Sequence, residues 1–222
     1  LIAAELAEQT LQGRRLNLSV LTSVMRRDTG FRHYMMAMMV LGSGNLMLLP
    51  LAVILLNEHL HLNQLHQVTV TSSLPLLVLC FSIPFWARML DRRHIFTYRA
   101  IHSWFFVAAA AFFAIAIITQ ITELLWPAAV LLGSAYAGGN LGWNLGHNDF
   151  SNDGNASQYM AIHVMLTGLR GLVMPLIGVG LYGILSAWRP ASGAWAMLLP
   201  MSLSFSGAII FVVLHLQMMR RK

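Results

Sequence analysis

The chain has 222 residues, of which 57% are hydrophobic and only 10% are charged. A soluble domain carries about 25% charged residues, so this composition excludes an ordinary soluble domain and indicates a membrane protein. The formal net charge is +6. The basic residues are confined to a few short segments, and this placement argues against nucleic-acid binding.

Six segments are predicted to be membrane helices, because a spanning helix needs about 20 mostly apolar residues. In chain order they are Tyr34–Leu56, Val68–Ala87, Thr97–Thr119, Leu124–Asn144, Tyr159–Leu185 and Ala194–Gln217. We therefore predict an all-α polytopic membrane protein with a six-helix transmembrane bundle over residues 34–217. Residues 1–33 are predicted to be a cytoplasmic arm with an amphipathic helix at the membrane interface, and residues 218–222 a basic cytoplasmic tail.

The basic residues lie almost entirely on one side of the predicted membrane. Twelve of the fourteen Lys and Arg residues fall before the first span, around the link from the second to the third, or after the last. Arg99, at the start of the third span, is counted with them, and only Arg170 and Arg189 lie elsewhere. An excess of Lys and Arg marks the cytoplasmic side. We therefore expect cytoplasmic termini, a bacterial inner (plasma) membrane location and contact with membrane lipid.

The link after the second span reads ARMLDRR over residues 87–93, and the fifth span is rich in Gly and Pro. With six spans and cytoplasmic termini, these features resemble the C-terminal half of a major facilitator superfamily (MFS) transporter. The link is similar to that family's G-x-L-a-D-R-x-G-R motif, but Ala87 replaces the first Gly and His94 stands at the second. Because the chain begins with Leu1 rather than Met, we expect it to be part of a longer protein.

The resemblance implies membrane transport of a small solute by alternating access between two bundles. The partner would be a second six-helix bundle, from the N-terminal half of the same protein or from another chain. The resemblance also implies a cytoplasmic latch between conformations, formed by Arg88, Asp91, Arg92 and Arg93.

The fifth predicted span contains Arg170, the only Lys, Arg, Asp or Glu that the sequence places deep inside an apolar span. A charge at that depth costs about 2.5–3.5 kcal/mol, so such a residue usually lines a pathway or meets a partner. His163 and Thr167 share its helix face. Arg170 could bind an anionic solute or pair with a carboxylate from outside these spans. The alternative is a structural arginine that binds helix carbonyls.

Polar side chains also lie on the first and fourth spans. Asn140, Trp143 and Asn144 share one helix face, and Asn45 lies near the middle of the first span. Asparagine amides can bind polar solutes, or they can simply join helices at about 0.6 kcal/mol per hydrogen bond. We predict a substrate or ion pathway lined by Asn45, Asn140, Trp143, Asn144, His163, Thr167 and Arg170.

Glycines on the fourth span form a second pattern. Gly138, Gly142 and Gly146 recur every four residues and so lie along one stripe. Such a stripe predicts that a neighbouring helix approaches backbone to backbone.

No motif for enzyme, nucleotide or metal chemistry is found in the sequence. The segment 149–154 imitates the start of a calcium loop, but Met160 stands where a bidentate carboxylate is required. Glu58, His59, His61 and His66 could bind a transition metal, although a solvated loop is the simpler interpretation. We expect no enzyme activity, cofactor or metal. The alternative to a transporter is a self-contained six-helix scaffold, assembly factor or channel that acts as an oligomer.

Overall fold

A computed structural model describes residues 18–152 and 155–220, and this part of the chain consists of helices joined by short links, with no β-strand. It contains seven helices. They are α1 (Leu18–Arg27), α2 (Thr29–Glu58), α3 (Gln64–Asp91), α4 (Ile95–Thr119), α5 (Leu125–Leu145), α6 (Ala156–Trp188) and α7 (Leu198–Arg220). Helix α3 contains a π-helical turn at Thr69–Ser73, and α7 follows a 3₁₀ segment at Pro190–Met197.

Five helical segments are long and apolar enough to cross a membrane: α2, α3, α4, α6, and α7 together with its 3₁₀ segment. Helix α5 has 21 residues, which at 1.5 Å per residue gives roughly the 30 Å needed for a bilayer core. Its Gly, Asn, Trp and Tyr residues lower its hydropathy. The structure is therefore that of a helical membrane protein with five candidate spans, and the sixth span stays a prediction.

The helices extend beyond the predicted spans. Helix α2 begins at Thr29 rather than Tyr34, because Asp28 caps it by accepting a 2.8 Å hydrogen bond from the Phe31 amide. Helix α3 continues to Asp91 rather than ending at Ala87. Apolar runs locate where a helix lies in a membrane, but helices continue into polar sequence beyond it. Of the predicted arm, residues 1–17 lie outside the described residues, and α1 covers part of the remainder.

The six long helices are packed as a row. Helix α3 packs on α5, α5 on α4, α4 on α7, α7 on α2 and α2 on α6. Helices α2 and α4 are the most buried of the candidate spans, whereas the two end helices α3 and α6 are mostly exposed.

Glycines bring helix backbones together at three places, none of them the predicted stripe. A Cβ at Gly207 would lie 2.5 Å from the Cα of Leu41, and a Cβ at Gly133 would lie 2.9 Å from the Cα of Pro75. Gly44 similarly meets the backbone of α7. These contacts let α2 approach α7 and α3 approach α5.

The prediction of backbone-to-backbone packing along the Gly138 stripe is corrected. Gly138 lies against the side chains of Tyr98 and His102, and Gly142 lies against the guanidinium of Arg99. The stripe therefore makes room for large polar side chains of α4.

One end of the bundle collects the starts of α2, α4 and α6 and the ends of α3, α5 and α7. We call it the basic end; it carries Arg32, Arg88, Arg92, Arg93 and Arg220. Two hydrogen bonds tie its segments together: Tyr159 donates to Asp28 at 3.0 Å, and the Ile95 amide donates to Asp149 at 2.5 Å. At the opposite end, His66 stacks on Trp126 and the Tyr182 hydroxyl donates to Glu58.

Candidate solute cavity

A cavity of about 270 Å³ lies between α2, α4, α5 and α6. Five of the seven predicted pathway residues line it: Asn45, Asn140, Trp143, Thr167 and Arg170. They come from α2, α5 and α6, and the fold brings these three helices together around the cavity. The cavity also includes Arg99 and Tyr136, which the sequence analysis did not assign to the pathway.

Arg170 extends from the exposed helix α6 into the bundle, where it is 5% exposed. Its Nη1 donates to the carbonyl oxygen of Met38 on α2, and its guanidinium lies against Gly42. Its Nε has no hydrogen-bond partner among the described residues. The backbone of α2 therefore holds the Arg170 side chain while leaving part of its donor capacity free.

Arg99 is a second buried guanidinium, about one turn into α4 from the basic end. It is 1% exposed and lines the same cavity, whereas the sequence placed it with the cytoplasmic basic residues and named Arg170 as the only deep charge. Its Nη1 lies 3.5 Å from His102 Nδ1, and its Nε and Nη2 have no partner among the described residues. Arg99, His102 and Ser103 share one inward face of α4, and this i, i+3, i+4 spacing was the available signal.

His163 lies beside the cavity rather than on its wall. Its side chain is fully buried, with ring-centroid distances of 5.5 Å to Trp143 and 6.1 Å to Tyr34. Neither ring nitrogen has a hydrogen-bond partner among the described residues. Trp143 also donates through Nε1 to the Thr167 hydroxyl at 3.3 Å, which joins α5 to α6.

The structure does not bring Asn144 to the cavity. Asn144 is exposed, and its Nδ2 donates to the carbonyl oxygen of Asn140 at 2.8 Å, one turn earlier in the same helix. Asn45 instead lines the cavity and also accepts a hydrogen bond from the Ser204 hydroxyl at 3.2 Å. The two predicted roles of Asn45, pathway residue and helix link, are therefore compatible.

No described carboxylate neutralises the two buried arginines. The described acidic residues all lie at helix ends or in turns: Asp28, Glu58, Asp91, Glu123 and Asp149. Among the described residues, the one contact at salt-bridge distance is from His94 Nδ1 to Asp149 Oδ2, 3.8 Å apart at the basic end, and it is an ion pair only when His94 is protonated. The cavity therefore carries positive charge that the described part of the chain leaves uncompensated.

The predicted latch residues lie together at the basic end. Arg88, Arg92 and Arg93 line a shallow surface cavity of about 350 Å³ that also includes Met89. Asp91 is the exposed last residue of α3 and forms no ion pair with the described residues. The role of these four residues as a latch stays a prediction.

His59, His61 and His66 do not form a metal centre in the part of the chain that the structure describes. No group of three or more His, Cys, Asp or Glu residues there is arranged to hold a metal ion. His59 and His61 instead line an open cavity with Glu58 and Tyr182.

Fold and site together define a helical membrane protein with a half-open cavity lined by two arginines and several neutral polar side chains. Comparison of the chain with protein-family models, with curated proteins and with solved structures finds no match.

Proposed function

We propose that the chain is one half of a secondary transporter, which moves a small solute through the cavity around Arg170 by alternating access. The observation that carries this proposal is the convergence of polar side chains from α2, α4, α5 and α6 on one cavity inside a helical membrane protein. Buried ionisable groups in a membrane are costly and commonly mark solute or ion pathways.

The exposure of α3 and α6 supports a second bundle as the partner. These two helices end the row and keep most of their apolar surface uncovered. The resemblance of the sequence to the C-terminal half of an MFS transporter agrees with such a partner. In the proposed assembly, the basic end faces the cytoplasm of an inner membrane, as the distribution of Lys and Arg favours.

An aromatic cluster supports a closed access route on the basic side of the cavity. The Phe31 ring lies 4.6 Å from Tyr159 and 5.7 Å from Phe150, and Phe150 lies 5.3 Å from Tyr34. These rings join the first residues of α2 and α6 to the turn after α5. In a transporter, separation of these segments would open the cavity toward the basic end.

The second candidate function is a membrane scaffold, assembly factor or channel that acts as an oligomer. It is favoured by the hydrogen bond from Arg170 to the Met38 carbonyl, which a purely structural arginine would also make. Helix α6 additionally carries four glycines around which a Cβ would meet no atom within 4 Å: Gly168, Gly171, Gly180 and Gly183. Such positions allow close packing against another helix.

Flux measurements distinguish the two candidates. The full-length protein is reconstituted in liposomes, and uptake of pooled anionic and neutral metabolites is compared between wild type, Arg170→Lys and Arg170→Ala. Arg189→Lys, at an exposed arginine next to Trp188, is the matched control. We expect at least a tenfold loss of flux in both Arg170 variants, because a charged hydrogen bond contributes about 1.5–3 kcal/mol and lysine cannot bind in a bidentate manner.

Two other outcomes of the flux measurements would contradict the proposal in part or in full. Unchanged flux in both Arg170 variants would make Arg170 structural and move the solute site toward the asparagines. Absence of wild-type flux with every pool would contradict transport and favour the scaffold function.

A further inference from the structure

We propose that Arg99 and Arg170 together bind an oxyanion, a carboxylate or phosphate group of a small solute, in the cavity that they share. The inference rests on the proposed function in treating this anion as the transported solute. It goes further by assigning a second binding residue, Arg99, and the chemical class of the ligand.

Arg99 has two hydrogen-bond donors that the described residues leave unpartnered. Its Nε and Nη2 are both buried and without partners among the described residues. These two nitrogens form one edge of the guanidinium, the edge with which an arginine can bind two oxygens of a carboxylate or phosphate side by side, and here the edge lies beside Gly142. Arg170 contributes its unpartnered Nε from α6, on a different wall of the same cavity.

The absence of a carboxylate partner within the described residues makes an external anion the natural counter-charge. Two arginines that are 1% and 5% exposed have lost most of their contact with water. Buried charges without compensation cost several kcal/mol each. An oxyanion between them would supply opposite charge and hydrogen-bond acceptors at the same time.

Each guanidinium occupies space that a glycine leaves open. A Cβ at Gly142 would lie 2.7 Å from Arg99 Nη2, and a Cβ at Gly42 would lie 2.6 Å from Arg170 Nη2. The Tyr34 hydroxyl also donates to the Gly142 carbonyl at 3.1 Å, which fixes α2 against α5 beside Arg99. These contacts place the cations against helix backbone and keep them oriented before a ligand arrives.

The cavity favours a free solute over a single carboxylate side chain from a partner. Its volume is about 270 Å³, which leaves room for more than one carboxylate group. Asn45, Asn140 and Thr167 also line it, and their amide and hydroxyl groups can bind the uncharged polar part of a small molecule.

Anion titration of the purified full-length protein tests the proposal. The thermal unfolding midpoint is measured against phosphate, succinate and citrate at constant pH and ionic strength, with sodium chloride and glucose as references. We expect saturable stabilisation of wild type by at least one oxyanion, since a ligand that binds only the folded state raises its stability. Arg99→Lys and Arg170→Lys should each weaken the apparent Kd at least tenfold, because lysine keeps the charge but not the paired donors.

Arg189→Lys is the matched control and should keep wild-type affinity. Gly142→Ala provides a second test of Arg99 that leaves its charge intact, and it should also weaken binding at least tenfold. Absence of saturable stabilisation of wild type by all three anions would overturn the proposal. Wild-type affinity in both Arg→Lys variants would also overturn it.

Two further comparisons distinguish a lipid headgroup from a soluble anion as the ligand, and distinguish the anion site from the transport function. Stabilisation by phosphatidylglycerol in mixed micelles, without an effect of the soluble anions, would assign the site to a lipid headgroup and overturn the solute proposal. Arginine-dependent anion binding without liposome flux would keep the anion site and contradict transport. Flux of a neutral solute without anion binding would contradict the anion site and keep transport.

Discussion

Substitution of Gly42 by alanine tests whether the backbone of α2 sets the position of the Arg170 guanidinium. The new methyl group would lie 2.6 Å from Arg170 Nη2, whereas carbon and nitrogen atoms in contact are ~3.5 Å or more apart. The guanidinium is the end of a flexible side chain and can withdraw. It then loses its place beside the Met38 carbonyl, to which Nη1 donates.

The magnitude follows from the interactions that change. Loss of a hydrogen bond from a charged group costs about 1.5–3 kcal/mol, and alanine returns up to about 1 kcal/mol through its higher helix propensity. We therefore expect Gly42→Ala to lower the free energy of unfolding by roughly 0.5–2 kcal/mol. Oxyanion affinity should fall between tenfold and a hundredfold, since the displaced Arg170 Nε no longer points to the same place.

The assay is the anion titration of the thermal midpoint, with flux in liposomes as a second readout. Gly183→Ala on the exposed face of α6 is the control, because a Cβ there meets no atom within 4 Å. It should leave oxyanion affinity unchanged and the midpoint equal to or above that of wild type. If Gly42→Ala bound the oxyanion as wild type does, contact with Gly42 would not be what positions Arg170.

Two further predictions concern Asn140 with Asn144 and the turn after α5. Asn140→Ala should lower solute affinity about threefold to tenfold, because it removes a hydrogen bond worth about 0.5–1.5 kcal/mol. Asn144→Ala should leave solute affinity unchanged. If flux titrations showed equal losses of affinity in the two variants, both residues would lie on the pathway. Asp149→Ala removes the acceptor of the Ile95 amide at the start of α4 and should cost about 1 kcal/mol of stability without loss of anion binding. An unchanged thermal midpoint would show that water replaces Asp149.

The fold class was predictable because membrane helices are encoded in long apolar segments. Each of the six predicted spans overlaps one helical segment of the structure, and five of these segments are apolar enough to be candidate spans. Helix α5 differs because residues such as Asn140 and Trp143 serve the cavity and lower its hydropathy. The same residues that lower the hydropathy of α5 also line the cavity.

The candidate site was predictable in part, since helical periodicity assigns residues to faces but does not order the helices around a centre. Thr167 and Arg170 share a face, and the structure brings both to the cavity with Asn45 and Asn140. Asn144 was assigned by the same spacing and lies outside. Asn144 lies one turn beyond Asn140 on α5, where the helix no longer lines the cavity. Helical periodicity alone does not show at which turn a cavity ends.

Arg99 was not predicted to line the cavity, because an arginine at this position in the sequence can lie either at the membrane surface or inside the bundle. It follows a basic link, where Lys and Arg commonly mark the cytoplasmic side. Its side chain is nevertheless buried, because the Gly142 position on α5 leaves space for its guanidinium. The space belongs to another helix, so the pairing becomes visible only in three dimensions.

The placement of the two arginines connects charge compensation to the proposed conformational change. Arg99 belongs to the buried central helix α4, whereas Arg170 belongs to the exposed end helix α6. A solute can shift a conformational equilibrium only if its interactions differ between the two states. An oxyanion that contacts both guanidiniums joins an end helix to the centre of the bundle, so movement of α6 would change its contacts. Binding and movement would then be coupled through the same two side chains.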